Sequence, residues 1–170
     1  FLLRLIILPL RSAKSAAKYK SIWSDEGSPL LCHSKALAGG IAAESAFDDV
    51  KLAMTYGNPS IPSVMEDFSK AGFTEVVVLS LFPQFTASTL GSQWSSICSI
   101  NSKLWHPLSL RFVPPYYENS SFVKAYADIV KHYAGDAISD PDSFFLFSFH
   151  GIPERHIKKV SDCNTCQFNE

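Results

Sequence analysis

The chain has 170 residues, a formal net charge of -1, 46% hydrophobic and 18% charged residues, the composition of a folded globular domain rather than a disordered segment. Its length suffices for one domain with a hydrophobic core, and the near-zero charge argues against a nucleic-acid partner, because neutralising phosphates needs a basic surface. Four cysteines, Cys32, Cys98, Cys163 and Cys166, are too few for the disulfide framework of a small secreted domain and point to a reducing, cytoplasmic compartment.

Residues 1–10 are apolar apart from Arg4. They are too short for a bilayer span, which takes about 20 residues, and they lack the basic start and small-residue cleavage site of a signal peptide. Core, a cleft lip or a peripheral membrane contact would all suit them. The chain opens without methionine inside this run, as the interior of a longer protein would. A helix is expected over 11–23, with Ala13, Ala16, Ala17 and Ile22 on its apolar face, followed by the turn Asp25-Glu26-Gly27-Ser28-Pro29. A second helical pattern covers 30–47, weakened by Gly39-Gly40. Residues 50–56 read as a strand ending at Gly57-Asn58-Pro59-Ser60, where Asn58 or Ser60 would cap a helix over 61–71.

A strand over 75–82 contains Val76-Val77-Val78-Leu79, an apolar run that suits burial on both faces. Helix follows over 88–103, then a strand over 108–113 stopped by Pro114-Pro115, then an amphipathic helix over 121–133 carrying Phe122, Ala125, Tyr126, Ile129 and Tyr133 on one stripe. A last apolar strand spans 143–149, and the tail from Gly151 is polar. Alternating strands and helices mean βαβ units, so the expected fold is α/β: an open, mainly parallel, doubly wound sheet in a three-layer arrangement, with 1–170 as a single domain. Ligands of such sheets bind beyond the carboxyl ends of the strands. The loops after Tyr56 and Phe82 and the one beginning at His150 all fall there.

The segment Phe147-Ser148-Phe149-His150-Gly151-Ile152-Pro153 carries the clearest chemistry. An apolar strand ends on a histidine, glycine lets the chain turn, and proline stiffens the exit. An imidazole, with an ordinary pKa of ~6.5, takes up protons or binds metal near neutrality; a histidine that merely ends a strand would look the same locally. Scattered His33, His106 and His132 read as surface or capping residues, and Trp23, Trp94 and Trp105 as packing residues. Pro114-Pro115-Tyr116-Tyr117, at a strand's carboxyl end, is a candidate edge of the same cleft.

Four blocks together resemble the ferrochelatase family. Ser148-Phe149-His150-Gly151-Ile152-Pro153 is similar to its S-x-H-G-[hydrophobic]-P signature. Arg11-Ser12 through Lys18-Tyr19, Ile22-Trp23 and Glu26-Gly27-Ser28-Pro29-Leu30 resembles its segment ending in G-S-P-L. Met54-Thr55-Tyr56-Gly57-Asn58-Pro59 resembles its M-[RT]-Y-G-N-P strand end, and the stretch from Phe82-Pro83-Gln84-Phe85 to Ser92 resembles its Y-P-Q-Y-S-x-S-T-x-G-S loop. The blocks occur in the family's order over nearly the whole chain. The resemblance implies an enzyme that inserts ferrous iron, its substrate, into protoporphyrin IX to form haem. It implies that His150 binds the incoming iron, takes a pyrrole proton, or both. It further implies that Ser28, Tyr56, Phe82, Gln84 and Ser88 line the porphyrin cleft, with Arg11 at its rim beside a propionate.

The chain departs from the family at Phe82 and Phe85, where tyrosines are usual, and at Thr55, where arginine is common. The family's first strand, and the glutamate that its second domain sets opposite the histidine, have no counterpart, so this piece alone is expected to be inactive. Cys163-Asn164-Thr165-Cys166 supplies two ligands where zinc and iron–sulfur sites need four; some microbial members hold a [2Fe-2S] cluster in this segment, and two plain exposed thiols are the other reading. A chelatase for another tetrapyrrole, inserting cobalt or iron into sirohydrochlorin, and a non-catalytic porphyrin or iron–sulfur binding remnant are the alternative functions.

Overall fold

The computed structural model describes residues 15–158, the side chains at 157 and 158 excepted. The apolar start, Arg11, Cys163 and Cys166 lie outside the described residues. The chain divides into two compact units, one through Val64 and one from Met65.

In the first unit, α1 is helical over 15–20. The Ser24 and Gly27 amides donate to each other's carbonyls at 3.0 and 3.1 Å, a tight return that leaves Gly27 at φ 117, where a side chain would be strained. Helix α2 (Pro29–Glu44) starts where the sequence places both a cap and a proline: the Leu31 amide donates to Ser28 Oγ, and Pro29 occupies the first turn. Gly39-Gly40 does not interrupt it. The expected strand over 50–56 does not form. Met54 instead makes an isolated bridge with Ser60, its amide donating to the Pro59 carbonyl at 2.7 Å. With Gly57 at φ 94, the chain doubles back on itself before any ladder can grow. Ser60 caps α3 (Ile61–Lys70), accepting from the Ser63 amide at 3.3 Å.

The second unit opens in α3, which buries Met65 and Phe68; Phe68 meets Phe73 edge-on at 5.2 Å. Strand β1 (Glu75–Val78) pairs in parallel with β2 (Ser109–Phe112), Glu75 opposite Ser109 and Val78 opposite Phe112. Parallel neighbours need a crossover. It is made by a π-helical turn (Ala87–Gly91) running into α4 (Ser92–Asn101). The return to β2 is fixed by Asn101, whose side-chain amide donates to the Leu108 carbonyl and whose Oδ1 accepts from the Leu108 amide, both at 2.9 Å. Leu108 is buried, so that pair satisfies backbone groups that would otherwise cost about 1–3 kcal/mol each. Leu90 and Ile97 are buried on the crossover. Asn119 then caps α5 (Ser120–Ala134), accepting from the Ser121 and Phe122 amides.

The α/β class and the parallel pairing match expectation, and the strands are shorter and fewer. The run at 143–149 lies outside any strand, with Phe144, Leu146 and Phe149 more than four-fifths exposed. Its apolar pattern suits a buried strand, but a strand also needs a ladder partner, and among the described residues β1 and β2 pair only with each other. The stripe on α5 likewise leaves Tyr126, Ile129 and Tyr133 exposed. Of the tryptophans, Trp94 packs between Phe85 and Phe112, at 5.8 and 5.2 Å; Trp23 and Trp105 are exposed instead of packed. Among the described residues, no helix is long and apolar enough to cross a membrane.

Candidate functional site at the carboxyl edge of the sheet

Beyond the carboxyl ends of β1 and β2, two loops are tied together. The Tyr116 amide donates to the Pro83 carbonyl at 3.0 Å, and the Tyr116 hydroxyl donates to the Ser80 carbonyl at 3.0 Å. The expectation that Pro114-Pro115-Tyr116-Tyr117 edges this region thus gains a specific residue. Burial, and secondarily the neighbouring Tyr126, push the Tyr116 phenol above its ordinary value; as a neutral phenol it keeps its proton for Ser80. Its ring meets Phe122 edge-on at 5.1 Å, so α5 braces the same point. Ser80 Oγ donates to Gln93 Oε1 at 2.5 Å, linking the loop after β1 to α4.

The loop continues into a hydroxyl cluster. Thr86 Oγ1 shares hydrogen bonds with Thr89 Oγ1 at 2.8 Å and Ser88 Oγ at 3.2 Å, and the Thr86 amide donates to Thr89 Oγ1 at 3.1 Å. The Gly91 amide donates to the Thr86 carbonyl at 3.1 Å. A Cβ on Gly91 would lie 3.3 Å from the tip of Phe85 and 3.4 Å from the Thr86 carbonyl oxygen, so glycine here serves close approach. The π-turn, a local geometry frequent at functional sites, therefore presents Ser88 from a closed frame.

The sequence-selected residues are distributed as follows. Phe82, Gln84 and Ser88 are exposed on this loop. His150 is exposed, and the short helix α6 (Glu154–Lys158) follows it. His156 on that helix shares a hydrogen bond of 3.3 Å between its Nδ1 and Ser88 Oγ, which brings the segment after His150 to the loop after β1. In the first unit, Tyr56 is 89% exposed. Ser28 is half-buried and caps α2; accepting the Leu31 amide leaves its hydroxyl proton able to donate. His33, His106 and His132 lie on the surface, as expected. Among the described residues, no three His, Cys, Asp or Glu side chains group closely enough to hold a metal ion. The frame residues Thr86, Thr89 and Tyr116 and the His156 contact went unread in the sequence as parts of one arrangement, since hydroxyls and a lone histidine in polar segments carry no periodic signal.

A family model described as Ferrochelatase matches residues 1–170. Curated relatives named ferrochelatase include that of Hamiltonella defensa subsp. Acyrthosiphon pisum, 38% identical over 161 residues covering 95% of this chain and 50% of the relative. That of Klebsiella pneumoniae is 35% identical with the same coverage, and that of Bdellovibrio bacteriovorus is 34% identical over 98% of this chain and 49% of the relative. No solved structure matches. The chain spans about half the length of the curated relatives it matches. With a match that spans the blocks around Ser28, Tyr56, Phe82 and His150, the chain belongs to the ferrochelatase family.

Proposed function

We propose that the full-length protein carrying this chain inserts ferrous iron into protoporphyrin IX to form haem. The supporting observation is the family match over all 170 residues, which includes the histidine-bearing motif. The reaction exchanges two pyrrole N–H protons for Fe²⁺ and releases two H⁺. It calls for a proton acceptor on one face of the macrocycle and a ligand that helps strip water from the cation. A neutral imidazole serves both ends, and His150 is the group assigned to them. A porphyrin is a flat apolar disc bearing two carboxylates, and such ligands need apolar walls with a few placed donors. Tyr56, Phe82 and the Phe82–Ser88 loop are assigned as wall, with Arg11, Ser28, Gln84 and Ser88 as polar contacts. The chain is read as a single α/β domain of a cytoplasmic enzyme, a reading that the free thiols of Cys32 and Cys98 suit.

The test is a metal-by-macrocycle assay on the full-length protein. Ferrous iron with protoporphyrin IX is expected to give haem, read by loss of free-porphyrin fluorescence. Preference for sirohydrochlorin, or porphyrin binding without turnover, would replace the proposal. Cys163 and Cys166 supply two of the four protein ligands of a [2Fe-2S] cluster. Visible charge-transfer bands are expected from the full-length protein and should vanish in Cys163→Ser; a colourless protein as purified would leave the pair as plain thiols.

A further inference from the structure

We infer that His156 is a positioning residue for His150, holding the chain that follows it against the turn that carries Ser88. The inference rests on the proposed chemistry at His150 and deepens it. His150 is exposed, and the run before it, 143–149, lies outside any strand, so among the described residues no ladder fixes the imidazole from the upstream side. Downstream, Gly151-Ile152-Pro153 leads directly to a turn in which the His156 amide donates to the Pro153 carbonyl at 2.8 Å. The His156 side chain then reaches a hydroxyl 68 residues away in sequence, Ser88 Oγ, at 3.3 Å. Ser88 does not stand alone. It shares a hydrogen bond with Thr86, which is locked to Thr89 in both directions, and the Ser88 carbonyl accepts from Ser92 Oγ at 3.1 Å. The anchor is therefore part of the crossover that joins β1 to β2, and the anchored segment begins at the reacting residue. Supporting residues of this kind decide whether a catalytic group keeps its productive geometry.

The contacting atom sharpens the test. Nδ1 is bonded to Cγ, the position at which asparagine carries its amide nitrogen or oxygen, so His156→Asn preserves the hydrogen bond while His156→Ala removes it. In the full-length protein, His156→Ala is expected to lower kcat for iron insertion about tenfold, with the porphyrin KM held within about twofold. His156→Asn is expected to recover most of that loss. Adding His156→Ala to Ser88→Ala should cost nothing further in kcat, because both substitutions break one contact. Hydrogen exchange supplies an arm independent of turnover: amides of 151–156 should exchange faster in His156→Ala and in Ser88→Ala alike. A kcat unchanged by His156→Ala, an asparagine variant no better than alanine, or exchange unaltered in both variants would overturn the inference. If the wild-type protein inserts no iron at all, the proposed function fails on its own, and the exchange arm still decides whether His156 ties the segment to Ser88.

Discussion

Replacing His150 with alanine in the full-length protein is expected to lower the rate of iron insertion by about 10²–10⁴-fold, the range for removing a positioned proton acceptor, and to leave the fold intact. The second half of that expectation comes from exposure. His150 is exposed and lies outside any regular element, and substitutions at such positions usually change stability by no more than about 0.5 kcal/mol. The loss should therefore appear in kcat at unchanged thermal midpoint and unchanged circular dichroism. Porphyrin affinity should move little, since the imidazole is assigned to the metal and the pyrrole proton while the loop from Phe82 to Ser88 is assigned to the macrocycle. Fluorescence quenching on porphyrin binding separates the two effects. Turnover within about threefold of wild type would sink the role of His150. Turnover lost together with the folded signal would show instead that the histidine supports the fold, against its exposure.

What the sequence revealed and what it hid follow from the range of the interactions. Capping is local, so Ser28 and Ser60 could be read in place: each has its helix starting beside it, and each oxygen accepts an amide three residues on. The Val76–Val78 run was legible because it is short and apolar, the strand over 109–112 because it stops at Pro114-Pro115, and the helix between them is long enough for a parallel crossover. The alternation at 50–56 carried the same local signal. There Gly57 and Pro59 return the chain onto Met54 too soon for a ladder. At 143–149 the pattern is fully strand-like, yet pairing is a property of two segments and cannot be read from one. For the site, the motif around His150 and the Phe82 loop could be picked out by residue type. The hydroxyl frame that holds Ser88, and its contact with His156, depend on which side chains a π-turn brings round, and that turn has no sequence period to announce it.

The same turn makes Leu90 the position where a single deletion should do most to the scaffold. Leu90→Ala is expected to destabilise the protein by about 2–5 kcal/mol, the cost of the lost apolar burial plus the cavity left behind. It is 1% exposed, the most buried large side chain among the described residues, and it sits between Thr89, which closes the hydroxyl frame, and Gly91, whose backbone already lies against Phe85 and the Thr86 carbonyl. The Thr89 and Gly91 amides both donate to the Thr86 carbonyl, which holds the turn's backbone on either side of Leu90 and favours the upper half of the range. Against a total stability of about 5–15 kcal/mol for a typical domain, the shift is large enough to read from a denaturant midpoint at constant slope. Leu90→Met, which nearly conserves volume, should cost less than about 1.5 kcal/mol, and Tyr56→Ala, at an exposed site, close to nothing. A Leu90→Ala cost below about 1 kcal/mol would mean that the turn is not packed as described.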